Sequence, residues 1–287
     1  METAVGDAGA PMTPAQILTR ATAYLERHGL ASPRQNAEAL LAAVLQTDRA
    51  GLYSRSTGLD AREARMFGRA LCQRCSGTPL QHLTGDQPFR RISVRVRPGV
   101  FVPRPETEVL VERALEAVGA VDDPVVVDVG TGTGAIALSI KAERPDAKVF
   151  ATDVSPEAVS LARDNAERLG LDVSVLQGDL LEPLPPELRG WIDLVVSNPP
   201  YVTADEYAEL PAEVRADPEQ ALLGGVEVYE RLANEAARWL RDAGIVAVEV
   251  GQRHAREVAS AFEPLFAEIS IAPDLAGRDR VVLGWRP

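Results

Sequence analysis

Cysteine is scarce in this chain, with two in 287 residues, and no apolar run approaches the length of a membrane span. Two cysteines cannot form a disulfide framework, so we expect Cys72 and Cys75 to pack as small apolar side chains on a helix. A redox or metal pair is the alternative, but no second pair or His cluster completes such a site. The first fifteen residues lack the basic start and apolar core of a secretory signal. We expect a cytoplasmic protein with no membrane span and no metal.

Acidic residues outnumber basic ones, 42 to 30, which gives a net charge of −12. The segment 49–104 runs against this trend, with eleven arginines and three acidic residues. A chain of negative overall charge is repelled by a phosphate backbone, so stable nucleic-acid binding is not expected. Two interpretations of the arginines stay open: solvated faces, or a docking surface for an acidic partner.

The N-terminal part has apolar residues at helical spacing behind helix-start signals at Thr13, Ser32 and Asp60. This pattern predicts a small helical domain in residues 1–84. From Phe89 the apolar period changes to two, and Pro98-Gly99 is expected to turn a β-hairpin. We therefore predict a hairpin linker in residues 85–105.

Residues 106–287 alternate apolar β-branched runs with helical patterns, beginning with the run Val125 to Val129. Such alternation predicts a mostly parallel sheet covered on both faces, which is a doubly wound α/β fold. Ligands of such folds bind at the carboxyl ends of the strands.

A glycine-rich turn, Asp128 to Gly134, follows the first strand of this domain. Its glycines are spaced G-x-G-x-G, which favours S-adenosylmethionine over the nicotinamide cofactors bound by G-x-G-x-x-G. Asp153 ends the next strand, where its carboxylate can accept from both ribose hydroxyls. Asp179 ends the third strand and can accept from the adenine amino group while Leu180 covers the adenine face. The predicted cofactor-binding residues are Gly130, Thr131, Gly132, Thr133, Gly134, Asp153, Asp179, Leu180 and Asn198.

The tetrapeptide Asn198-Pro199-Pro200-Tyr201 directly follows the strand Ile192 to Val196. Prolines cannot extend a strand, so the chain must leave the sheet at its carboxyl edge. There the Asn198 side-chain oxygen and the Pro199 carbonyl can accept the two hydrogens of a planar NH2 group on which Tyr201 stacks. Two fixed acceptors orient a poorly nucleophilic nitrogen and stabilise the positive charge it gains. We predict Asn198, Pro199 and Tyr201 as catalytic residues and Asn198 to Tyr201 as the substrate site.

These motifs resemble the class I S-adenosylmethionine methyltransferases that act on amide or exocyclic nitrogens. Further segments resemble the HemK family of peptide chain release factor glutamine methyltransferases. They are Phe101 to Glu108, Glu213 to Leu222, Gly224-Gly225 and Asp274 to Arg280.

The resemblance implies a Rossmann-like class I methyltransferase domain joined by a hairpin to a helical domain that recognises the substrate. It implies methylation of the glutamine in the Gly-Gly-Gln motif of bacterial class 1 release factors, by a monomer. Glu227-Val228 and His254 depart from the family pattern. Two other functions stay open: a nucleic-acid methyltransferase acting on a flipped base, and a nicotinamide-dependent oxidoreductase or nucleotide-binding regulator.

Overall fold

The computed structural model describes residues 12–211 and 213–287. It consists of two compact units, one ending at Gly85 and the other spanning Asp86–Pro287. The part of the expected helical domain before residue 12, and most of the segment tested for a secretory signal, lie outside the described residues. Of the helices in the described ranges, none is long and apolar enough to cross a membrane.

The first unit is helical. Its helices are α1 (Pro14–Arg27), α2 (Pro33–Leu45), α3 (Arg49–Ser54), α4 (Ala61–Cys75) and α5 (Leu80–Thr84). Capping boxes start α1 and α4 as predicted, with Thr13 and Gln16 exchanging hydrogen bonds at the first. The predicted cap at Ser32 is wrong: Ser32 has a φ of 49° and its side chain caps nothing. Instead, Asn36 Nδ2 donates to the Ser32 carbonyl at 3.1 Å and holds this turn.

The second unit opens with a hairpin of β1 (Asp86–Phe89) and β2 (Ile92–Arg95). The chain turns at Pro98-Gly99 as predicted, with the Val100 N–H donating to the Arg97 carbonyl at 3.3 Å. The prediction that this turn forms the hairpin is wrong, because the paired strands reverse at Arg90, whose φ is 49°. The Arg90 N–H donates to Glu108 at 3.1 Å and its guanidinium to Glu143 at 2.6 Å. Contacts with distant residues therefore stabilise a turn that has no local glycine signal.

A seven-stranded sheet follows, in the spatial order β5-β4-β3-β6-β7-β9-β8. Its strands are β3 (Val125–Val129), β4 (Lys148–Asp153), β5 (Val173–Gln177), β6 (Ile192–Ser197), β7 (Leu240–Glu249), β8 (Glu268–Pro273) and β9 (Asp279–Trp285). Strands β3 to β7 pair in parallel, whereas β9 is antiparallel to both β7 and β8. The predicted doubly wound, mostly parallel sheet is confirmed.

Helices cover both faces of this sheet. The helices packed on it are α6 (Thr107–Ala117), α7 (Ala135–Glu143), α8 (Pro156–Leu169), α11 (Val226–Trp239) and α12 (Ala255–Phe262). Two shorter helices, α9 (Ala204–Glu209) and α10 (Glu219–Leu222), lie between β6 and α11 along the chain. Alternate residues of β6 enter opposite cores: Leu194 and Val196 join the cluster beneath α6, α7 and α8, and Val195 joins the one beneath α11 and α12. From β3 the sheet grows in one direction through β4 and β5, and from β6 it grows in the opposite direction. Ligands of such sheets bind at the carboxyl ends of the strands where the direction changes, which here is between β3 and β6.

Candidate functional site

The glycine-rich turn links β3 to α7. Gly130, Gly132 and Gly134 have φ angles of 71°, 56° and 84°, a region that residues with a Cβ rarely adopt. A Cβ at Gly130 or Gly132 would meet nothing within 4 Å, so the space above the turn is open to a ligand. Gly134 differs, because its Cβ would lie 2.9 Å from Leu138 and the residue caps α7 outside the cavity lining.

Asp128 lies under the turn, and sequence reasoning assigns it no separate role. Its Oδ2 accepts from the Thr131 hydroxyl at 2.6 Å and from the Ala137 N–H at 3.1 Å. Burial raises the pKa of this carboxyl to about 7. Asp128 therefore braces the turn against α7, and an acid that interrupts a buried β-branched run is the signal that could have found it.

Asp153 ends β4 beside the turn. Its Oδ2 accepts from the Gly132 N–H at 2.8 Å and its Oδ1 from the Ser155 N–H at 2.9 Å. Burial raises the pKa of this carboxyl. Because each carboxylate oxygen has a second lone pair, both oxygens can still accept from ligand hydroxyls.

Asp179 and Leu180 form the next part of the rim, after β5. Leu180 has a φ of 46°, and its carbonyl accepts from the Thr152 hydroxyl at 2.8 Å. Arg231 of α11 donates to Asp179 Oδ2 at 2.6 Å, and both side chains are about half exposed. Sequence reasoning missed Arg231, because no local pattern pairs residues that are 52 positions apart.

These elements enclose a cavity of about 320 Å³. Every predicted site residue except Gly134 lines it, together with residues that the sequence did not single out for this role, among them Phe101, Thr107 and Val228. The donor set fits S-adenosylmethionine: open glycine amides, the Asp153 carboxylate and an apolar wall at Leu180. Thr133 adds a buried hydroxyl that has no partner within the described part of the chain.

The Asn-Pro-Pro-Tyr corner begins where β6 ends. Ser197 anchors it, donating its hydroxyl to the Val129 carbonyl at 2.7 Å. Asn198 lies at the cavity wall and donates Nδ2 to the Thr107 hydroxyl at 3.2 Å. This contact directs the Asn198 NH2 group towards α6 and leaves Oδ1 as the acceptor available to a ligand.

A second segment holds the corner from its other side. The Val202 N–H donates to the Leu222 carbonyl at 2.9 Å, and the Gly224 N–H donates to the Val202 carbonyl at 3.0 Å. A Cβ at Gly224 would lie 2.0 Å from the Pro200 carbonyl oxygen. Glycine is therefore required where the two segments meet.

Two ionisable groups lie behind the corner. Burial raises the pKa of the Tyr201 phenol to about 12, so the ring at the cavity is neutral. Glu249, at the end of β7, is 1% exposed, and burial raises the pKa of its carboxyl to about 7. The sequence analysis assigns Glu249 no role. Across the described residues, no group of three or more His, Cys, Asp or Glu side chains is arranged to hold a metal ion.

The two departures from the family pattern lie close to the site. Val228 lines the cavity, on the first turn of α11. His254 precedes α12, where its Nε2 lies 3.6 Å from Glu206 and its side chain is 23% exposed. His254 therefore lies against α9, the helix that follows the corner.

Comparison with known proteins gives matches along most of the chain. A model of the PrmC N-terminal domain matches residues 16–85, and a model of the Methyltransferase small domain matches residues 91–272. A release factor glutamine methyltransferase of Moorella thermoacetica is 40% identical over 284 residues, or 96% of this chain and 99% of the relative. One of Deinococcus radiodurans is 43% identical, over 94% of this chain and 97% of the relative.

A solved structure supports the fold alone. A T. thermophilus 16S rRNA methyltransferase, in complex with AdoMet and guanosine, superposes with a TM-score of 0.54 at 21% identity. The match covers 70% of this chain and 50% of that one. The shared fold is that of an S-adenosylmethionine-dependent methyltransferase.

Proposed function

This chain belongs to the release factor glutamine methyltransferase family, and we propose that it methylates the side-chain amide nitrogen of the glutamine in the Gly-Gly-Gln motif of bacterial class 1 release factors. One observation carries the proposal: Asn198 lies on the cavity wall opened by the glycine turn, with its amide NH2 turned to Thr107. An amide oxygen in this position suits a substrate that presents an NH2 group.

The proposed roles of the corner follow from hydrogen-bond chemistry. Asn198 Oδ1 and the Pro199 carbonyl accept the two hydrogens of the glutamine NH2, and Tyr201 packs on the amide plane. These acceptors increase the electron density on nitrogen and stabilise its developing positive charge. Prolines at the corner limit its backbone freedom, so the acceptors are held in place before the substrate binds.

When bound in the cavity, S-adenosylmethionine would supply an electrophilic methyl group, and the amide nitrogen held by Asn198 and Pro199 would take that group from sulfur and lose one proton to water. In our proposal Asp153 binds the ribose hydroxyls, Asp179 binds the adenine amino group and Leu180 covers the adenine face. The turn from Gly130 to Thr133 lies under the rest of the cofactor, and Gly134 acts by starting α7.

If the substrate is a release factor, three more specific proposals follow. The helical first unit recognises the release factor: it matches the PrmC N-terminal domain, and none of the residues that line the cofactor cavity belongs to it. The enzyme acts as a monomer in the cytoplasm, where translation takes place. It forms no stable complex with free nucleic acid, because its net charge is −12.

Mass spectrometry of a purified class 1 release factor, before and after incubation with this chain and labelled S-adenosylmethionine, tests the function. We expect a gain of one CH2 confined to the Gly-Gly-Gln peptide. A release factor with alanine in place of that glutamine is the control and should gain nothing. Label transfer to total RNA or DNA, with none to release factor, would instead support a nucleic-acid methyltransferase.

A further inference from the structure

Three polar residues from separate elements meet behind the substrate corner. Val196 of β6 and Ala247 of β7 belong to the core beneath α6. Because strand residues alternate between faces, Glu249 at the end of β7 faces that same side. Asn198, the residue after β6, turns its Nδ2 to this side, where it donates to Thr107 of α6. The two strands pair Ser197 with Val248, so Asn198 and Glu249 lie at adjacent strand ends. Thr107, the first residue of α6, packs against both.

The hydrogen bonds among these three residues run from donor to acceptor in one order, from Asn198 through Thr107 to Glu249. Asn198 Nδ2 donates to Thr107 Oγ1 at 3.2 Å, which leaves the hydroxyl hydrogen free to point towards the Glu249 carboxyl. Thr107 is 3% exposed and Glu249 1% exposed, so water does not compete for these contacts. Glu249 Oε2 has no partner among the described residues. A buried carboxylate that is ionised has no hydrogen bonds from water, so it is stabilised only by the protein donors within reach.

This requirement selects one orientation of the Asn198 amide. If the amide were reversed, Oδ1 would face Thr107 and would take its hydroxyl hydrogen. Glu249 would then be a buried carboxylate without that donor, which is unfavourable because water does not replace the lost hydrogen bond. The observed orientation avoids this cost and directs Oδ1 to the cavity.

We propose that Thr107 and Glu249 are positioning residues for the methyl transfer: the Glu249 carboxylate, acting through the Thr107 hydroxyl, holds the Asn198 amide with its oxygen towards the substrate NH2. The inference rests on the proposed function of the corner but adds two residues to it. Neither residue is assigned a contact with the reacting atoms.

The proposal gives the site a dependence on pH. Burial raises the pKa of Glu249 to about 7, against the opposing effects of the Thr107 hydroxyl and Arg280 and with a further increase from Glu106. The Tyr201 phenol also faces this carboxyl and is neutral. Once protonated, Glu249 can donate to Thr107, whose hydroxyl can then donate to a reversed Asn198. Methyl transfer should therefore decline as pH falls through the pKa of Glu249.

The first test uses the free protein, so it does not depend on the identity of the substrate. The side-chain NH2 signals of Asn198 are assigned by their loss in Asn198→Asp and followed by ¹⁵N NMR across about two pH units on either side of 7. We expect them to titrate in the wild type and in Thr107→Ser, and to stop titrating in Thr107→Val and Glu249→Gln. Signals that do not respond to pH in the wild type would overturn the proposal.

The second test is kinetic. Thr107→Val should lower kcat by roughly tenfold or more through misplacement of the acceptor, with the Kd for S-adenosylmethionine within about twofold, and Thr107→Ser should restore most of kcat. Glu249→Gln should lose the decline at low pH. Ser139→Ala, which removes a buried hydroxyl on α7 away from the cavity, is the matched control and should leave kcat unchanged.

The two tests separate the possible failures. A wild-type kcat and pH profile in Thr107→Val would overturn the positioning role. If Thr107→Val does not fold, Thr107→Ser and Glu249→Gln still decide the matter by NMR and pH profile. A wild type whose Asn198 signals titrate as expected, but which does not methylate release factor, would disprove the proposed function and leave the positioning network standing.

Discussion

At the scale of single residues, polar atoms at the site are engaged by the protein itself. Both oxygens of Asp153 accept from backbone N–H groups, at Gly132 and Ser155, and Asn198 donates to Thr107. Such contacts orient a side chain before any ligand arrives and reduce the entropy cost of binding. They also separate roles, because Asp153 serves the cofactor side of the cavity and Asn198 the substrate side.

Replacement of Asn198 by alanine tests this separation. We expect Asn198→Ala to lower methyl transfer by roughly 100-fold or more, as loss of one positioned partner of the transition state does. The Kd for S-adenosylmethionine, measured by calorimetry, should stay within a few fold. Unchanged turnover would remove Asn198 from the chemistry. A large loss of cofactor affinity would instead move it to the cofactor side.

The buried carboxyl of Asp128 predicts a dependence of stability on pH. Burial raises its pKa to about 7, so the folded chain binds this proton more tightly than the unfolded chain. The resulting stability is complete below the ordinary carboxyl pKa and is lost as pH rises through the folded value. The free energy of unfolding, measured in urea, should therefore decrease in the wild type between about pH 5 and pH 8. In Asp128→Asn, which has no titrating group at this position, we expect that decrease to be smaller by on the order of 2 kcal/mol.

Asp146→Asn is the control for this measurement. Arg144 lowers the pKa of Asp146 to about 2, so its contribution to stability is lost only at more acidic pH. The variant should reproduce the wild-type change between the two pH values. Equal changes in all three proteins would mean that Asp128 titrates normally.

At the scale of elements, the corner depends on the segment that packs against it. Gly224 touches the Pro200 carbonyl closely enough that no Cβ fits between them. The N–H of Gly224 also bonds to Val202, so the two segments cannot separate without losing a hydrogen bond. The position of Asn198 is thus coupled to residues more than twenty positions later in the chain.

We expect Gly224→Ala to displace the corner and to lower kcat by roughly tenfold or more, since an ångström of misplacement is costly to catalysis. Cofactor affinity should change less, because the glycine turn is untouched. Gly68→Ala is the control: a Cβ in this exposed part of α4 meets nothing within 4 Å and should add up to about 1 kcal/mol of stability. Steady-state kinetics and thermal unfolding distinguish the two variants. A kcat for Gly224→Ala equal to the wild type would contradict the packing argument.

At the scale of the whole molecule, charge is partly neutralised between distant segments. Several arginines of segment 49–104 have carboxylate partners: Arg55 with Glu63, Arg90 with Glu143, Arg97 with Asp164 and Arg104 with Asp217. The sequence leaves open whether these arginines form solvated faces or a docking surface for an acidic partner. The ion pairs remove some of them from a docking surface, because an arginine that is already paired contributes little to it. Arg91 and Arg95 are exposed on the hairpin, and Arg91 Nε lies 3.6 Å from Glu143.

If exposed arginines steer an acidic release factor, Arg95→Glu should raise KM for that substrate roughly threefold or more and leave kcat nearly unchanged. The effect should shrink with added salt, because screening weakens exposed charges. Lys148→Glu makes the same charge change at the exposed start of β4, outside the hairpin, and should leave KM unaltered. Equal effects of the two substitutions would assign the change to net charge rather than to the hairpin.

The sequence by itself determined the features that depend on neighbours along the chain. The capping boxes at Thr13 and Asp60, the β-branched strands and the glycine turn are all specified by residues a few positions apart. The parallel direction of most strands follows from their alternation with helices, since parallel strands need crossovers. This was enough to predict the fold class, and every predicted site residue except Gly134 lines the cavity.

Tertiary structure alone decided which of those residues meet. The hairpin turns at Arg90 because Glu143, 53 positions later, holds its guanidinium. Asn198 is oriented by Thr107, 91 positions earlier, and Asp179 is paired with Arg231. Such contacts depend on which strand ends lie side by side in the sheet. No local sequence pattern indicates which distant residues will become neighbours in this way. The raised pKa values of Asp128 and Glu249 also depend on tertiary structure, because only the folded sheet excludes water from these two carboxyls.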